Sequence, residues 1–83
     1  MRSTFRERLY RIEPDTALQI HNYGCNRHDI TTTDSITLYH TVDGKPLSLG
    51  GVAQGTRPLR IATPFNILAD SNGATVKVVS TTE

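Results

Sequence analysis

Two glycine-closed turns, Asp43–Gly44 and Asn72–Gly73, constrain the fold of this chain more than any other feature. Each turn lies between two runs of residues whose apolar positions match across the turn. Asp-Gly and Asn-Gly favour two-residue hairpin loops, because a type I′ turn needs positive φ at both central residues. The sequence therefore predicts two tight β-hairpins, and the pairing of each hairpin assigns side chains to faces.

The first hairpin predicts an apolar face and a hydroxylic face. A two-residue loop at Asp43–Gly44 places Val42 opposite Lys45 and Ile36 opposite Gly51, and opposite residues of an antiparallel pair share a face. Pro46 falls at a position whose missing N–H points away from the partner strand, so we expect its strand at a sheet edge. The apolar face would hold Ile36, Leu38, His40, Val42, Leu47 and Leu49, and the other face Ser35, Thr37, Tyr39, Thr41 and Ser48.

The second hairpin follows the same rule, with Ala69 opposite Val76 and Ile67 opposite Val78. A further strand pair is expected from residues 7–12 and 17–22, around a type I turn at 13–16.

The beginning of the chain has competing interpretations. A capping box at Thr4–Glu7 precedes apolar residues at helical spacing (Phe5, Leu9, Ile12), which favours a helix. The segment is short and runs into Pro14, so we expect residues 3–12 to form a strand or an extended arm instead.

The remaining segments complete an all-β prediction. Residues 22–34 lack periodicity and are expected to form a long loop, residues 53–56 a turn, and residues 59–62 a last strand. Short strands with frequent turn signals are typical of a small antiparallel β-sandwich or barrel. We therefore expect a single β domain over residues 1–83, with about six to seven strands and a basic N-terminal arm over residues 1–8.

Composition predicts a thin core. Apolar residues make up 36% of the chain, aromatic residues 6%, and tryptophan is absent. A chain of this size buries only about 60–65% of its unfolded surface, and its single cysteine cannot form an internal disulfide. We therefore expect stability to come partly from homo-oligomerisation or from docking onto a larger body. The sequence has no run of about 20 apolar residues, the length that a membrane span needs, so we expect no membrane partner.

No catalytic or metal-binding signature is evident. His21, Cys25, His28 and Asp29 fall within nine residues, but their spacing lacks the CxxC…HxxxH pattern of zinc sites. The chain also lacks a nucleophile elbow and a phosphate-binding glycine loop. The sequence therefore predicts no enzyme, no metal and no cofactor, and it leaves open whether these four side chains converge.

Arginines provide the strongest candidate for a binding surface. Four of them lie in the first eleven residues, opposed only by Glu7, and two more flank Pro58. A guanidinium pairs bidentately with carboxylate or phosphate groups, although a solvated chain end is an equally good interpretation. The predicted partner-binding residues are Arg2, Arg6, Arg8, Arg11, Tyr39, Pro46, Arg57 and Arg60.

Residues 36–44 and 63–78, with their Thr- and Val-rich strands and Asp/Asn-Gly turns, resemble small all-β virion proteins of tailed bacteriophages. Such proteins cement or decorate capsids or build head and tail parts. The resemblance implies a structural protein in symmetric copies, located in the virion after synthesis in the host cytoplasm, with the major capsid protein or another virion protein as its partner. Two alternatives remain: a small nucleic-acid-binding β-barrel that uses the arginines with Tyr39, and a phage-encoded inhibitor of a host protein.

Overall fold

The computed structural model describes residues 5–83, and these residues form six β-strands and no helix. All strand pairs are antiparallel, and all six strands belong to one curled half-barrel sheet, so the all-β prediction is confirmed. The strands are β1 (Phe5–Ile12), β2 (Ala17–Ile20), β3 (Arg27–Val42), β4 (Lys45–Leu59), β5 (Phe65–Ala69) and β6 (Ala74–Thr81).

The six strands lie in four columns. The long strand β3 pairs with β4 along one edge, and along its other edge with β6 and then β5. β1 pairs with the far side of β6, and β2 with the far side of β5. The columns in order are therefore β1/β2, β6/β5, β3 and β4.

All four columns are interrupted at the same level, which we call the transverse break. Asp15 and Gln54 adopt positive φ there, and β3 and β4 change register between Thr32 and Ser35. Backbone bonds cross the break from Asp15 N to Asp70 O and from Ala69 N to Thr16 O. Such irregularities bend strands and increase their twist. The break comprises residues 13–16, 33–34, 54–55 and 70–73.

The core lies on the inner face of the curled sheet, where the two halves on either side of the break meet. The ring of His28, from one half, lies 5.0 Å from the ring of Phe65, from the other. Burial of this apolar surface supplies the main stabilising free energy. The buried apolar cluster comprises Ile12, Ile20, Ile30, Ile36, Leu38, Val52, Leu59, Phe65, Ile67, Ala69, Ala74, Val76 and Val78.

The chain reverses at Asp43–Gly44, where both residues have positive φ. Val42 lies opposite Lys45, and the pairing continues in the expected register as far as Tyr39 and Ser48. The register then shifts, so that Leu38 lies opposite Gly50 and not opposite Leu49, as the two-residue loop predicts. A β-bulge explains the difference, because it adds one residue to β4.

Two other predicted hairpins are wrong. β5 and β6 do not pair with each other, since Ala69 lies opposite Ile36 and Val76 opposite Thr32, both on β3. Likewise, β1 and β2 pair with β6 and β5 and not with each other. At 13–16 and 70–73 the chain does not reverse. One strand ends there, and the next strand continues in the same column of the sheet.

Three smaller predictions also need correction. Residues 27–34 belong to β3 and not to a loop, because His28, Ile30 and Thr32 alternate into the core. Residues 53–56 lie within β4, which ends at Leu59, where the last strand was expected to begin. Residues 5–8 of the expected arm belong to β1, which excludes the helix over these residues, and residues 1–4 lie outside the described part of the chain.

Candidate functional site

A shallow depression on the outer face of the sheet brings together two of the predicted partner-binding residues, Tyr39 and Pro46. Its volume is about 600 Å³. Strand pairing builds it, because Tyr39 lies opposite Ser48 and Thr41 lies opposite Pro46. On the other side of β3, Thr37 lies opposite Leu68 of β5. The lining residues are Thr37, Tyr39, Thr41, Pro46, Ser48 and Leu68.

The depression combines apolar surface with hydroxyl groups. Leu68 is 36% exposed, although it lies between the buried residues Ile67 and Ala69. Four hydroxyl side chains, on Thr37, Tyr39, Thr41 and Ser48, surround the apolar surface and can each donate and accept hydrogen bonds. An apolar patch with a polar border is typical of a protein interface.

Further apolar side chains are exposed beside the β3–β4 turn and along β1. Val42 and Leu47 are 44% and 52% exposed beside the β3–β4 turn, and Phe5 and Leu9 of β1 are 66% and 72% exposed. A protein of this size with a thin core thus leaves several large apolar side chains in solvent.

Arg8 is held inside the fold. Its Nη1 donates hydrogen bonds to the Tyr10 hydroxyl (3.1 Å) and to the carbonyl oxygen of His21 (2.9 Å). Its Nη2 donates to Ser80 Oγ at 2.7 Å. Both terminal nitrogens of this guanidinium therefore have partners within the chain, whereas Nε is buried without a hydrogen-bond partner among the described residues.

The Arg8 contact continues into a buried polar chain. Ser80 Oγ lies 2.6 Å from His28 Nδ1, and His28 Nε2 lies 3.2 Å from Ile61 O. Because a guanidinium only donates, Ser80 accepts from Arg8 and can direct its own proton to His28 Nδ1. This assigns the Nε2–H tautomer of a neutral imidazole, whose N–H donates to Ile61 O.

The environment of His28 favours its neutral form. Its side chain is fully buried, and this burial lowers the pKa of His28 below its ordinary value of 6.5. The hydrogen bond to Ile61 O acts in the opposite direction, whereas the positive charge of Arg8 lowers the pKa further. The Ser80–His28 pair is closed to solvent and joins directly opposite residues of β6 and β3 within one half of the sheet.

The other N-terminal arginines lie on different faces of β1. The Arg6 guanidinium stacks on the Tyr23 ring at 4.1 Å, on the same side of the strand as Arg8. Arg11 lies on the opposite side, where its guanidinium reaches the turn at Gly73. Arg2 lies outside the described residues. The arginines of β1 therefore do not form one continuous surface.

Arg57 and Arg60 are also separated from each other. Arg57 Nη1 donates to Gly51 O at 3.1 Å on the inner face. Arg60 forms a salt bridge of 2.5 Å with Glu83, which also binds Arg27 at 2.8 Å. Hydrogen bonds from Arg27 and Arg60 lower the pKa of the Glu83 carboxyl.

The four residues of metal-ligand type noted in the sequence do not converge. His28 belongs to the buried polar chain, His21 stacks on Tyr23 at 4.5 Å, and Asp29 pairs with Arg27 at 3.3 Å. Cys25 is buried. Among residues 5–83, no three His, Cys, Asp or Glu side chains form a group that could hold a metal ion. The same residues contain no helix long and apolar enough to span a bilayer.

Sequence reasoning identified Tyr39 and Pro46 but did not predict two contacts of the structure. Leu68 was recognisable as an apolar residue on an outer face, but its position beside Thr37 depends on the β3–β5 pairing. The Ser80–His28 contact joins residues 52 positions apart and has no local signal.

Comparison of the chain with protein-family models, with curated proteins and with solved structures gives no match. The functional argument therefore depends on the surface chemistry of the chain itself.

Proposed function

We propose that this protein is a non-enzymatic structural component of a tailed-bacteriophage virion, namely a capsid cement or decoration protein that binds neighbouring shell subunits. The observation that carries the proposal is the outer-face depression, in which Tyr39, Pro46 and Leu68 lie within a border of hydroxyl groups. Exposed apolar side chains elsewhere on the sheet are consistent with a protein that buries surface against a partner.

The mechanism is burial of surface repeated around a symmetric shell. A stable interface buries about 800 Å² on each partner. Tyrosine and leucine would supply apolar contact, and the threonine and serine hydroxyls would supply direct or water-mediated hydrogen bonds. When copies of the protein are linked, or span adjacent shell subunits, a modest contact gains avidity.

The remaining positive charge favours an acidic partner surface. Within residues 5–83, Arg6 and Arg11 form no salt bridge. Because guanidinium groups pair well with carboxylates, each of these side chains would suit acidic groups on its own face of β1.

The proposal is tested by cosedimentation with shells assembled from the major capsid protein of the phage that encodes this chain. We expect the purified wild-type protein to sediment with the shells and to saturate at a ratio set by the shell symmetry. The double variant Tyr39→Arg/Leu68→Glu should lose binding, because it places charges in the depression. The control variant Ser71→Arg changes an exposed turn residue and should bind like the wild type.

Failure of the wild-type protein to bind shells, heads or tails of that phage would overturn the virion assignment. Binding that Tyr39→Arg/Leu68→Glu leaves intact would overturn the role of the depression. An inhibitor of a host protein would remain unbound to every virion part.

A nucleic-acid-binding barrel is the second candidate, because Arg6 forms no salt bridge within residues 5–83 and the neighbouring Tyr23 is 42% exposed. Phosphate contacts make affinity depend strongly on salt. Titration with single-stranded and duplex DNA at low and physiological salt tests this function, and absence of binding at low salt rejects it.

A further inference from the structure

The sheet ends at β1 in a regular strand whose outer edge no described strand covers. Its eight residues pair with β6 without a register shift and include neither proline nor glycine. Phe5 and Leu9 lie on the outer face on either side of Glu7 and are 66% and 72% exposed. Regular, partly apolar edges are prone to pair with other chains.

The opposite edge of the sheet is protected against such pairing. β4 carries Pro46 and Pro58, which lack an N–H, and it bends at the register shift near Gly50. Positive φ at Gln54 and Gly55 interrupts it again. Prolines and bulges blunt edge strands, so the two edges of this sheet differ in their capacity to accept another strand.

We infer that β1 is a homodimer interface, at which β1 pairs antiparallel with β1 of a second copy and joins the two sheets into one. This goes beyond the proposed function, since it concerns self-association in the absence of a shell. Charge complementarity along β1 identifies a second copy of this chain as the partner at its free edge.

The two-fold axis of such a pair is perpendicular to the sheet, so the outer faces of both copies stay on the same side. Each residue then lies opposite one on its own face, and the register is defined by the residue at the axis. With Leu9 at the axis, Leu9 meets Leu9 of the second copy, and Glu7 lies opposite Arg11 on both sides.

Neighbouring registers bring like charges together. A register centred on Arg8 places two arginines opposite each other, and one centred on Tyr10 places Glu7 opposite Glu13. Like charges directly opposite are destabilising, whereas opposite charges and apolar pairs are stabilising. The Leu9-centred register therefore places opposite charges together and buries the exposed Leu9 side chain against its copy.

Glu7 already forms an ion pair with Lys77 of β6, and Arg11 of the second copy would approach the same carboxylate from the free edge of β1. The Glu7 carboxylate lies 3.3 Å from Lys77 Nζ on the outer face, opposite the core. Arg11 lies on the same face, four positions further along β1. Arg8 would lie opposite Tyr10 of the second copy on the inner face, where the same two side chains already contact each other within one chain.

Charge exchange tests the register. Sedimentation equilibrium of the wild-type protein over a concentration series should show twice the 9.2 kDa chain mass. Glu7→Arg and Arg11→Glu should each weaken dimerisation at least tenfold, because each places like charges opposite each other. An equimolar mixture of the two variants should form heterodimers, and the double variant Glu7→Arg/Arg11→Glu should recover the dimer.

Recovery in the mixture separates the interface from a defect in folding, since neither variant is repaired within its own chain. A wild-type protein that is monomeric throughout the series overturns the inference. So do single variants that dimerise normally, and a mixture that fails to recover the dimer. None of these outcomes affects the shell-binding test, whose readout is independent.

A cysteine at the axis provides a second measurement. Disulfides form between Cα atoms about 4.4–6.8 Å apart, which matches a directly opposite pair. Leu9→Cys should form a disulfide-linked dimer under mild oxidation much faster than Leu47→Cys, which changes a leucine that is 52% exposed on β4. Equal rates for the two variants would overturn the proposed register.

Discussion

The Arg57 guanidinium fills the space beside Gly50 that a side chain at position 50 would need. Arg57 also donates a hydrogen bond to Gly51 O at 3.1 Å. Both glycines lie on one side of the transverse break and Arg57 on the other. The Arg57 side chain therefore connects the two parts of β4 on either side of the bend at Gln54–Gly55.

Gly50→Ala should destabilise the protein by about 1–3 kcal/mol, as a strained backbone combined with a steric conflict does. The position has φ of +98°, which disfavours any residue with a Cβ, and the added methyl meets the guanidinium. Urea denaturation followed by circular dichroism measures the loss. In a double-mutant cycle with Arg57→Ala, the second substitution should cost less in the Gly50→Ala background than in the wild type. Strict additivity would show that the two residues do not interact.

Ser80→Ala should cost about 1–3 kcal/mol, because it leaves buried polar groups without partners. The substitution removes the acceptor for Arg8 Nη2 and the donor for His28 Nδ1. The control Ser71→Ala, at an exposed turn position, should leave the free energy of unfolding unchanged. Equal stabilities of the two variants in urea would contradict the buried polar chain.

Alternation of apolar residues indicated the faces of the strands but not their partners. A side-chain period of two is the same whether a chain reverses at a turn or continues past an interruption. For that reason Ala69 and Val76 were correctly placed on one face yet wrongly paired with each other. Both residues of Asp43–Gly44 adopt the positive φ that a two-residue hairpin loop needs. At Asn72–Gly73 only the glycine does, and the chain does not reverse there.

In the candidate site, too, the sequence predicted local pairing but not the contacts between distant strands. Tyr39 and Pro46 come together because the pairing next to a two-residue turn follows from the sequence. The arginines separate because successive strand residues face opposite ways, so Arg8 and Arg11 cannot share a surface. Leu68 lines the depression and Ser80 contacts His28 because β5 and β6 pair with β3. That pairing joins residues far apart in the sequence, so no local pattern predicts it.

The two similar turns should respond differently to alanine. Asp43 has φ of 52°, a conformation that costs alanine about 1 kcal/mol. Asn72 lies outside that region, and its backbone N–H, which donates to Asp70 Oδ1 at 2.9 Å, survives the substitution. Thermal unfolding should therefore show a lower Tm for Asp43→Ala than for Asn72→Ala. The reverse order would show that position 72, not position 43, carries the strained conformation.

The stability of the protein should fall as the pH drops below 6.5, because the fold lowers the pKa of His28. Burial lowers its pKa from 6.5, so the unfolded chain binds the proton more readily than the folded one. The contribution of His28 is complete above pH 6.5 and is lost progressively as the pH falls toward its folded pKa. Urea denaturation between about pH 7 and pH 5, above the range in which most carboxylates titrate, should show this slope. His28→Gln should remove the slope and His21→Gln should retain it; an unchanged slope in His28→Gln would assign the titration to another group.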